Sequence, residues 1–116
     1  MVTNWLPEDC ESKMPAYASH YVGVGGLVFD STSTKMLAIQ ERFYLAPDTW
    51  KLPGGRVDTG EEIGKAAERE VWEETGVLTD HQGILSFREL TNYQFGQQDM
   101  YFVCLQKLRG SETIDV

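Results

Sequence analysis

Three glutamates near the middle of the chain are spaced so that they could bind a metal ion. With about 100° of rotation per residue, Glu70, Glu73 and Glu74 fall on one face of a helix. Neighbouring like charges near the negative end of the helix dipole repel one another unless a cation or protons compensate them. Three carboxylates suit a hard divalent ion, and Mg²⁺ is favoured because it also binds substrate phosphates. A solvated acidic face is the alternative that this spacing leaves open.

The segment that positions these glutamates is predicted to be a helix from Glu62 to Thr75. Thr59 and Glu62 have the spacing of a capping box at its start, and Gly76 supplies a left-handed stop at its end. The apolar side chains that continue the acidic face, and should therefore pack against the protein, are Ile63, Ala66, Ala67 and Val71. Trp72 falls on the other side.

The rest of the chain predicts strands around this helix. Runs rich in branched and aromatic residues, bounded by turn residues, span Ser19–Asp30, Met36–Gln40, Trp50–Leu52, Ile84–Leu90 and Met100–Leu105. A turn of sequence D-S-T-S-T predicts that the first two form a hairpin. A polar loop is predicted between the last two. Strands on both sides of one helix indicate a layered α+β or α/β domain with a mixed or antiparallel sheet.

Composition limits the functions that this chain could have. With 116 residues it has the size of one domain, and 18 acidic against 10 basic residues, a net charge of −8, disfavour general nucleic-acid binding. Cys10 and Cys104 are predicted to be reduced thiols, because no zinc or disulfide pattern surrounds them. The first residues lack a signal peptide and no stretch is long enough for a membrane span, so we expect a cytoplasmic location and no membrane partner.

A longer pattern surrounds the three glutamates. Gly55 is followed after five residues by Glu61, and after seven more by the run R-E-V-W-E-E-T-G-V from Arg69 to Val77. This pattern resembles the Nudix box at each of its defining positions, which makes a chance match very improbable. The resemblance implies an α/β fold, an α/β/α sandwich with a mixed sheet, in which the box forms a loop, a helix and a loop.

The resemblance also implies roles for individual residues. The positions that match the family's metal and catalytic ligands are Glu70, Glu73, Glu74 and the backbone carbonyl of Gly55. They imply Mg²⁺ as cofactor, with Mn²⁺ as the substitute, and Glu70 is the candidate base if the base lies within the box. Arg69 and Glu61 match a pair that buttresses the loop. The helical wheel independently places Arg69 close to Glu62, and Arg69 directly precedes Glu70 in the sequence, which predicts a structural ion pair.

Segments outside the box are similar to one branch of the family. They include T-W-K-L-P-G-G and F-G-Q-Q-D-M-Y-F-V-C, and the branch contains a Nudix protein encoded antisense to a fibroblast growth factor and plant ADP-ribose and NADH pyrophosphatases. We therefore expect residues 1–16 to be an irregular lead-in and residues 17–116 to be a Nudix domain. Members of the branch continue with a further strand and helix, so the chain is expected to be a fragment or short isoform, truncated at its C-terminus.

The branch resemblance implies a small nucleotide substrate, ADP-ribose or NADH, and the release of a nucleoside monophosphate. Arg42 and Phe95 are candidate substrate contacts, since arginine binds phosphate and aromatic faces stack on bases. Tyr93 is a third candidate, because its position after the box resembles that of a tyrosine in diadenosine polyphosphate hydrolases. Surface charge and loop packing are the alternative roles for these three residues. A homodimer also stays open as a partner.

Two other classes of function compete with the enzyme. One is a Nudix-fold binding or regulatory module, or an impaired isoform, although Glu70, Glu73 and Glu74 are all present. The other is an acidic structural protein with a calcium site, which is disfavoured because no 12-residue calcium loop occurs.

Overall fold

The computed structural model describes residues 18–40, 49–94 and 97–110, with the backbone alone at positions 92–94 and 97. The elements in chain order are β1 (His20–Val28), β2 (Ile39–Gln40), β3 (Trp50–Lys51), β4 (Gly54–Arg56), α1 (Ile63–Thr75), β5 (Thr79–Gln94) and β6 (Gln97–Leu108). Four strands form one sheet in the order β4-β1-β6-β5, and β2 and β3 form a separate pair. No described helix combines the length and apolarity needed to cross a membrane.

The main sheet is mixed, which confirms the prediction. Its central strand β1 runs antiparallel to β4 and parallel to β6, while β5 and β6 are antiparallel. The register places Val24 of β1 beside Gly55 of β4 and Phe102 of β6. The box loop is therefore fixed to the centre of the sheet through the short edge strand β4.

Helix α1 packs on one face of this sheet. Its fully buried side chains Ala66, Ala67 and Val71 are those that the wheel assigned to the protein side, while Trp72 is exposed as predicted. The side chains that form the two core clusters with them are Val24, Val28, Val77 and Cys104. A methyl group on Gly26 would overlap Val71 Cγ2, so this glycine lets the helix approach β1 closely. The second helical layer of the predicted sandwich is not among the described residues.

The two ends of α1 differ in how well they match the prediction. Gly76 ends the helix as expected, with φ of 73° and its N–H donated to the Trp72 carbonyl. The predicted capping box is wrong, because Glu62 is the N-cap and no side chain caps the helix. A contact of the kind expected between Thr59 and Glu62 occurs one residue earlier in the chain, where the Asp58 N–H donates a hydrogen bond to Glu61 Oε1 over 3.0 Å. Arg69 fixes Glu61 in this position, and a local spacing rule cannot take that distant contact into account.

The predicted hairpin of the first two strands is only partly correct. The chain does turn after Asp30, where a single bridge pairs Phe29 with Met36. Strand β2 then leaves β1 and pairs with β3, with Gln40 opposite Trp50. The predicted run Met36–Gln40 therefore supplies two short pieces of structure instead of one strand.

The predicted polar loop before β6 is wrong over most of its length. Strand β5 continues to Gln94 and β6 begins at Gln97, so most of the segment predicted as a loop belongs to one long hairpin. Strand pairing uses backbone groups, which polar residues also supply, and a polar side chain on an exposed face costs little. Irregularities in the ladder occur between His81 and Gly83, between Ile84 and Ser86, and between Leu90 and Gln94.

Candidate functional site

The Glu70 carboxylate is held against the backbone of the box loop. Its side chain is only 13% exposed. A Cβ atom on Gly55 would lie 2.6 Å from Glu70 Oε1 and 2.8 Å from Oε2, so any other residue at position 55 would displace the carboxylate. Gly55 is itself fixed opposite Val24 in the sheet. The helix and the loop therefore meet at a point that requires glycine.

Arg69 connects the helix to the loop. Its guanidinium makes a two-pronged contact with Glu61, from Nε to Oε2 over 2.8 Å and from Nη2 to Oε1 over 3.0 Å. Nη2 also donates to the Arg56 carbonyl over 3.0 Å. The hydrogen bonds that Arg69 donates to Glu61 are the largest cause that raises the pKa of Arg69, and Arg69 in turn lowers the pKa of Glu61. The contact with Glu61 fits the buttressing role implied by the resemblance. The helical wheel had predicted Glu62 as the partner of Arg69, and the structure pairs Arg69 with Glu61 instead.

The other two glutamates lie around the same point. Arg69 Nη1 donates to Glu70 Oε1 over 2.9 Å and to Glu73 Oε2 over 3.2 Å. Glu74 Oε2 accepts the Gly54 N–H over 3.3 Å, next to the position that Glu70 contacts. The shared face inferred from the helical wheel is therefore present in the structure. Glu73 is the more open of the two glutamates bonded to Nη1, with 47% of its side chain exposed.

The donor chemistry of this site suits a hard divalent cation. Carboxylate oxygens and a backbone carbonyl are ligands that Mg²⁺ accepts, and the Glu70 carboxylate lies directly against Gly55 of the loop. Within the described ranges, however, no three His, Cys, Asp or Glu side chains are already arranged as a ligand set. Arg69 Nη1 occupies one oxygen each of Glu70 and Glu73. A cation would therefore share these carboxylates with Arg69.

The three candidate substrate contacts are not located by the structure. Arg42 and Phe95 lie outside the described residues. Tyr93 belongs to β5 by its backbone, but its side chain lies outside the described part of the chain. These assignments stay predictions.

Polar residues on β5 and β6 were missed by sequence reasoning. His81 Nδ1 lies 2.8 Å from Gln106 Oε1, and Gln106 Nε2 donates to the Thr79 hydroxyl over 3.1 Å. Gln106 and Thr79 are buried, so the two strands carry a satisfied polar network inside the core. Alternation of side chains along β6 is the signal that could have placed Gln106 beside Cys104. The thiol of Cys104 is free and buried, and burial raises its pKa.

The fold and the glutamate-lined loop are those of a Nudix-type domain. The chain is similar to the crystal structure of a MutT Nudix hydrolase from Burkholderia pseudomallei, with 25% identity, a TM-score of 0.68 and coverage of 85% of this chain and 74% of that one. The family model described as NUDIX domain matches residues 19–115. The chain therefore belongs to the Nudix family.

Two relatives illustrate the breadth of the similarity. The chain is 44% identical to nucleoside diphosphate-linked moiety X motif 6 of Xenopus laevis, over 91% of this chain and 49% of that protein. It is also 44% identical to Nudix hydrolase 8 of Arabidopsis thaliana, over 98% of this chain and 31% of that protein. The chain thus spans half or less of the length of these relatives.

Proposed function

We propose that this domain hydrolyses a nucleoside diphosphate linked to another moiety and releases a nucleoside monophosphate. ADP-ribose and NADH are the substrates we expect first. The names of the relatives, a nucleoside diphosphate-linked moiety protein and a Nudix hydrolase, support the general class. The observation that carries the proposal is the Glu70 carboxylate fixed between Arg69 and Gly55, with Glu73 and Glu74 beside it.

The residues proposed to bind Mg²⁺, or Mn²⁺ in its place, are Glu70, Glu73, Glu74 and the carbonyl of Gly55. The cation would supply positive charge to a diphosphate that an acidic chain could not otherwise accept. Arg69 orients Glu70, since Nη1 donates to Oε1, and the opposite side of the same guanidinium is anchored on Glu61. This anchoring holds the Glu70 carboxylate in one position, while the Glu73 side chain stays more exposed to solvent.

The reaction needs one base and one water molecule. Glu70 is proposed to take a proton from the water, whose oxygen forms a bond to one phosphorus of the diphosphate. The bond between that phosphorus and the bridging oxygen breaks, and the second phosphate leaves with the electron pair. Two monophosphates result, one of which carries the nucleoside. Glu61 cannot serve as this base, because Arg69 lowers its pKa and occupies both of its oxygens.

A binding module is the second candidate function. It is supported by the hydrogen bonds through which Arg69 Nη1 engages Glu70 and Glu73 together. If these bonds persist when a nucleotide binds, the carboxylates are used to keep the loop in place and not to recruit a cation. The domain would then bind the ligand without cleaving it.

Turnover of a substrate panel separates the two candidates. The chain is incubated with ADP-ribose, NADH, coenzyme A, dinucleoside polyphosphates and oxidised nucleotides, first with Mg²⁺ and then with chelator, and products are resolved by chromatography. Release of a nucleoside monophosphate that requires Mg²⁺ supports the hydrolase. Binding without release, both in this chain and in the full-length Xenopus laevis relative, supports the module.

Substitution of Glu73 tests the metal assignment. We expect Glu73→Gln to lower turnover by about 100-fold or more, because one anionic ligand is lost. Its thermal unfolding should change little, since this side chain is half exposed. Glu68→Gln on the same helix is the matched control, because Glu68 pairs with Lys65 and should leave turnover unchanged. Normal turnover of Glu73→Gln would contradict the assignment.

A further inference from the structure

Two close contacts at glycines hold helix α1 on the sheet, one in its first turn and one further along. Val71 of the helix lies over Gly26 of β1, where a Cβ atom would overlap Val71 Cγ2. In the first turn the arrangement is reversed, because the ring of His81 on β5 lies over Gly64 of the helix. A Cβ atom at Gly64 would overlap His81 Cδ2. Val71 follows Gly64 by about two helical turns, so the two contacts fix the direction of the helix axis on the sheet.

The remaining contacts of the first two turns constrain the helix less. Ala66 and Ala67 are fully buried, but each presents only a methyl group to the sheet, which gives little relief to fit into a groove. Ile63 packs against the core while staying partly exposed. Among the described residues, no side chain caps the start of the helix. The first turn therefore depends on the ring of His81 for its position.

The ring of His81 is itself held from inside the sheet. Gln106 Nε2 donates to the Thr79 hydroxyl over 3.1 Å, so Gln106 Oε1 is the atom turned toward His81, 2.8 Å from Nδ1. Nδ1 therefore carries the hydrogen of this bond. Gln106 is 2% exposed, and movement of the ring away from it would leave a buried oxygen without a donor. The network thus resists a displacement of His81.

Gly64 lies between the two residues of the box that make the two-pronged contact. Glu61 precedes it by three residues and Arg69 follows it by five. Arg69 reaches back over the first turn to bond Glu61, while its Nη1 bonds Glu70 over 2.9 Å. A shift of the first turn would therefore change the position of the guanidinium, and the Glu70 carboxylate would move with it.

We infer that His81 is a positioning residue for the glutamate site. It acts through Gly64, because the ring fixes the first turn of α1 where Arg69 can bond Glu61 and Glu70 at the same time. His81 performs no step of the reaction. The reaction in which Glu70 takes part rests on the proposed function, whereas the position of Arg69 can be observed without substrate.

The proton NMR signal of Arg69 Nε–H tests this inference in the chain without metal or substrate. Gly64→Ala inserts a methyl group where the ring lies and should shift this signal, although alanine is the better helix former. His81→Asn keeps an N–H donor for Gln106 but removes the ring, so the methyl group has room. In the His81→Asn background, Gly64→Ala should therefore cause little further shift. Gly83→Ala on β5, with no atom within 4 Å of the new Cβ, is the control.

Turnover of ADP-ribose with Mg²⁺ gives a second readout. We expect Gly64→Ala and His81→Asn each to lower kcat about tenfold, because a displaced Glu70 carboxylate takes the proton less efficiently, with KM changed less than about twofold. The double variant should stay within about threefold of His81→Asn, since the two substitutions act on the same contact. Thermal melts show separately how far each substitution alters stability.

An unchanged Arg69 signal in Gly64→Ala would overturn the inference, and so would an equal effect of Gly64→Ala in both backgrounds. A lower melting temperature with normal kcat would show that His81 has a structural role alone, which also overturns it. If Gly64→Ala does not fold, His81→Asn decides by the same signal and kcat. Turnover by the parent chain with unaffected variants refutes only this inference. A variant-sensitive Arg69 signal without turnover in any chain supports the positioning and refutes only the hydrolase.

Discussion

The two faces of the main sheet carry different kinds of side chain. Under α1 the contacts are made by small aliphatic groups, such as Ala66, Ala67 and Val24, which are fully buried. On the opposite face the corresponding positions hold Tyr101 and Arg88, which remain partly or largely exposed. The first face stabilises the fold by removing apolar surface from water, while the second leaves polar atoms in contact with water.

This difference makes equivalent substitutions behave differently on the two faces. A change under the helix should mainly alter the free energy of unfolding. A change on the opposite face should cost less stability. Three further measurements test that division, and we describe them from the largest expected effect to the smallest.

Replacement of arginine by lysine should have its largest effect on the helix side. Arg69→Lys loses the two-pronged contact with Glu61 and the bond to the Arg56 carbonyl, so we expect about 2–4 kcal/mol less stability. Arg56→Lys, on the other face, keeps a cation near Tyr21 and should cost less than about 1 kcal/mol. Urea unfolding of both variants measures the difference. Equal losses would show that the two faces are not energetically distinct.

Adjacent glycines of β1 offer the next comparison. Gly26→Ala forces a methyl group into Val71, which is fully buried, and should cost about 1–3 kcal/mol. Gly25→Ala meets the end of Tyr101, which can swing outward, so we expect a smaller loss of stability. Gly83→Ala, with no atom within 4 Å of the new Cβ, is the control and should stay within about 0.5 kcal/mol of the parent. A reversed order of Gly25→Ala and Gly26→Ala would be inconsistent with the assignment of faces.

The smallest effect concerns pH. Arg69 lowers the pKa of Glu61 from its ordinary value of 4.5, so the ionised form is favoured by folding. This contribution is fully present above pH 4.5 and is lost as the pH falls through the lower folded value. Glu61→Gln should therefore be less stable than the parent at about pH 7, with the gap narrowing in acid. A gap that stays constant between about pH 7 and pH 3 in urea titrations would exclude this linkage.

Sequence reasoning predicted the features that depend on nearby residues. The helix end at Gly76, the buried stripe with Val71 and the shared face of the glutamates all follow from a spacing of a few residues. Their confirmation reflects how local those rules are. The Nudix box added the contact between Glu61 and Arg69, eight residues apart.

The features that were wrong or missed depend on contacts between distant segments. The pairing of β2 with β3 and the extension of β5 are decided by which strand edges meet, and the composition of each segment does not specify this. The alignment of Arg56, Tyr101 and Arg88 requires the register of three strand pairs. A single sequence gives no direct information on register.

The three-residue length of β4 limits how this domain could tolerate insertions and deletions. Successive residues from Gly54 to Arg56 face alternate sides of the sheet, one of which carries the helix. Adding or removing one residue before Gly55 would therefore turn each of these residues to the other side. The Glu70 carboxylate would then face the side chain of Arg56, and the Tyr21 ring would face the backbone of a glycine. Length changes just before Gly55 are therefore expected to be tolerated only in pairs of residues.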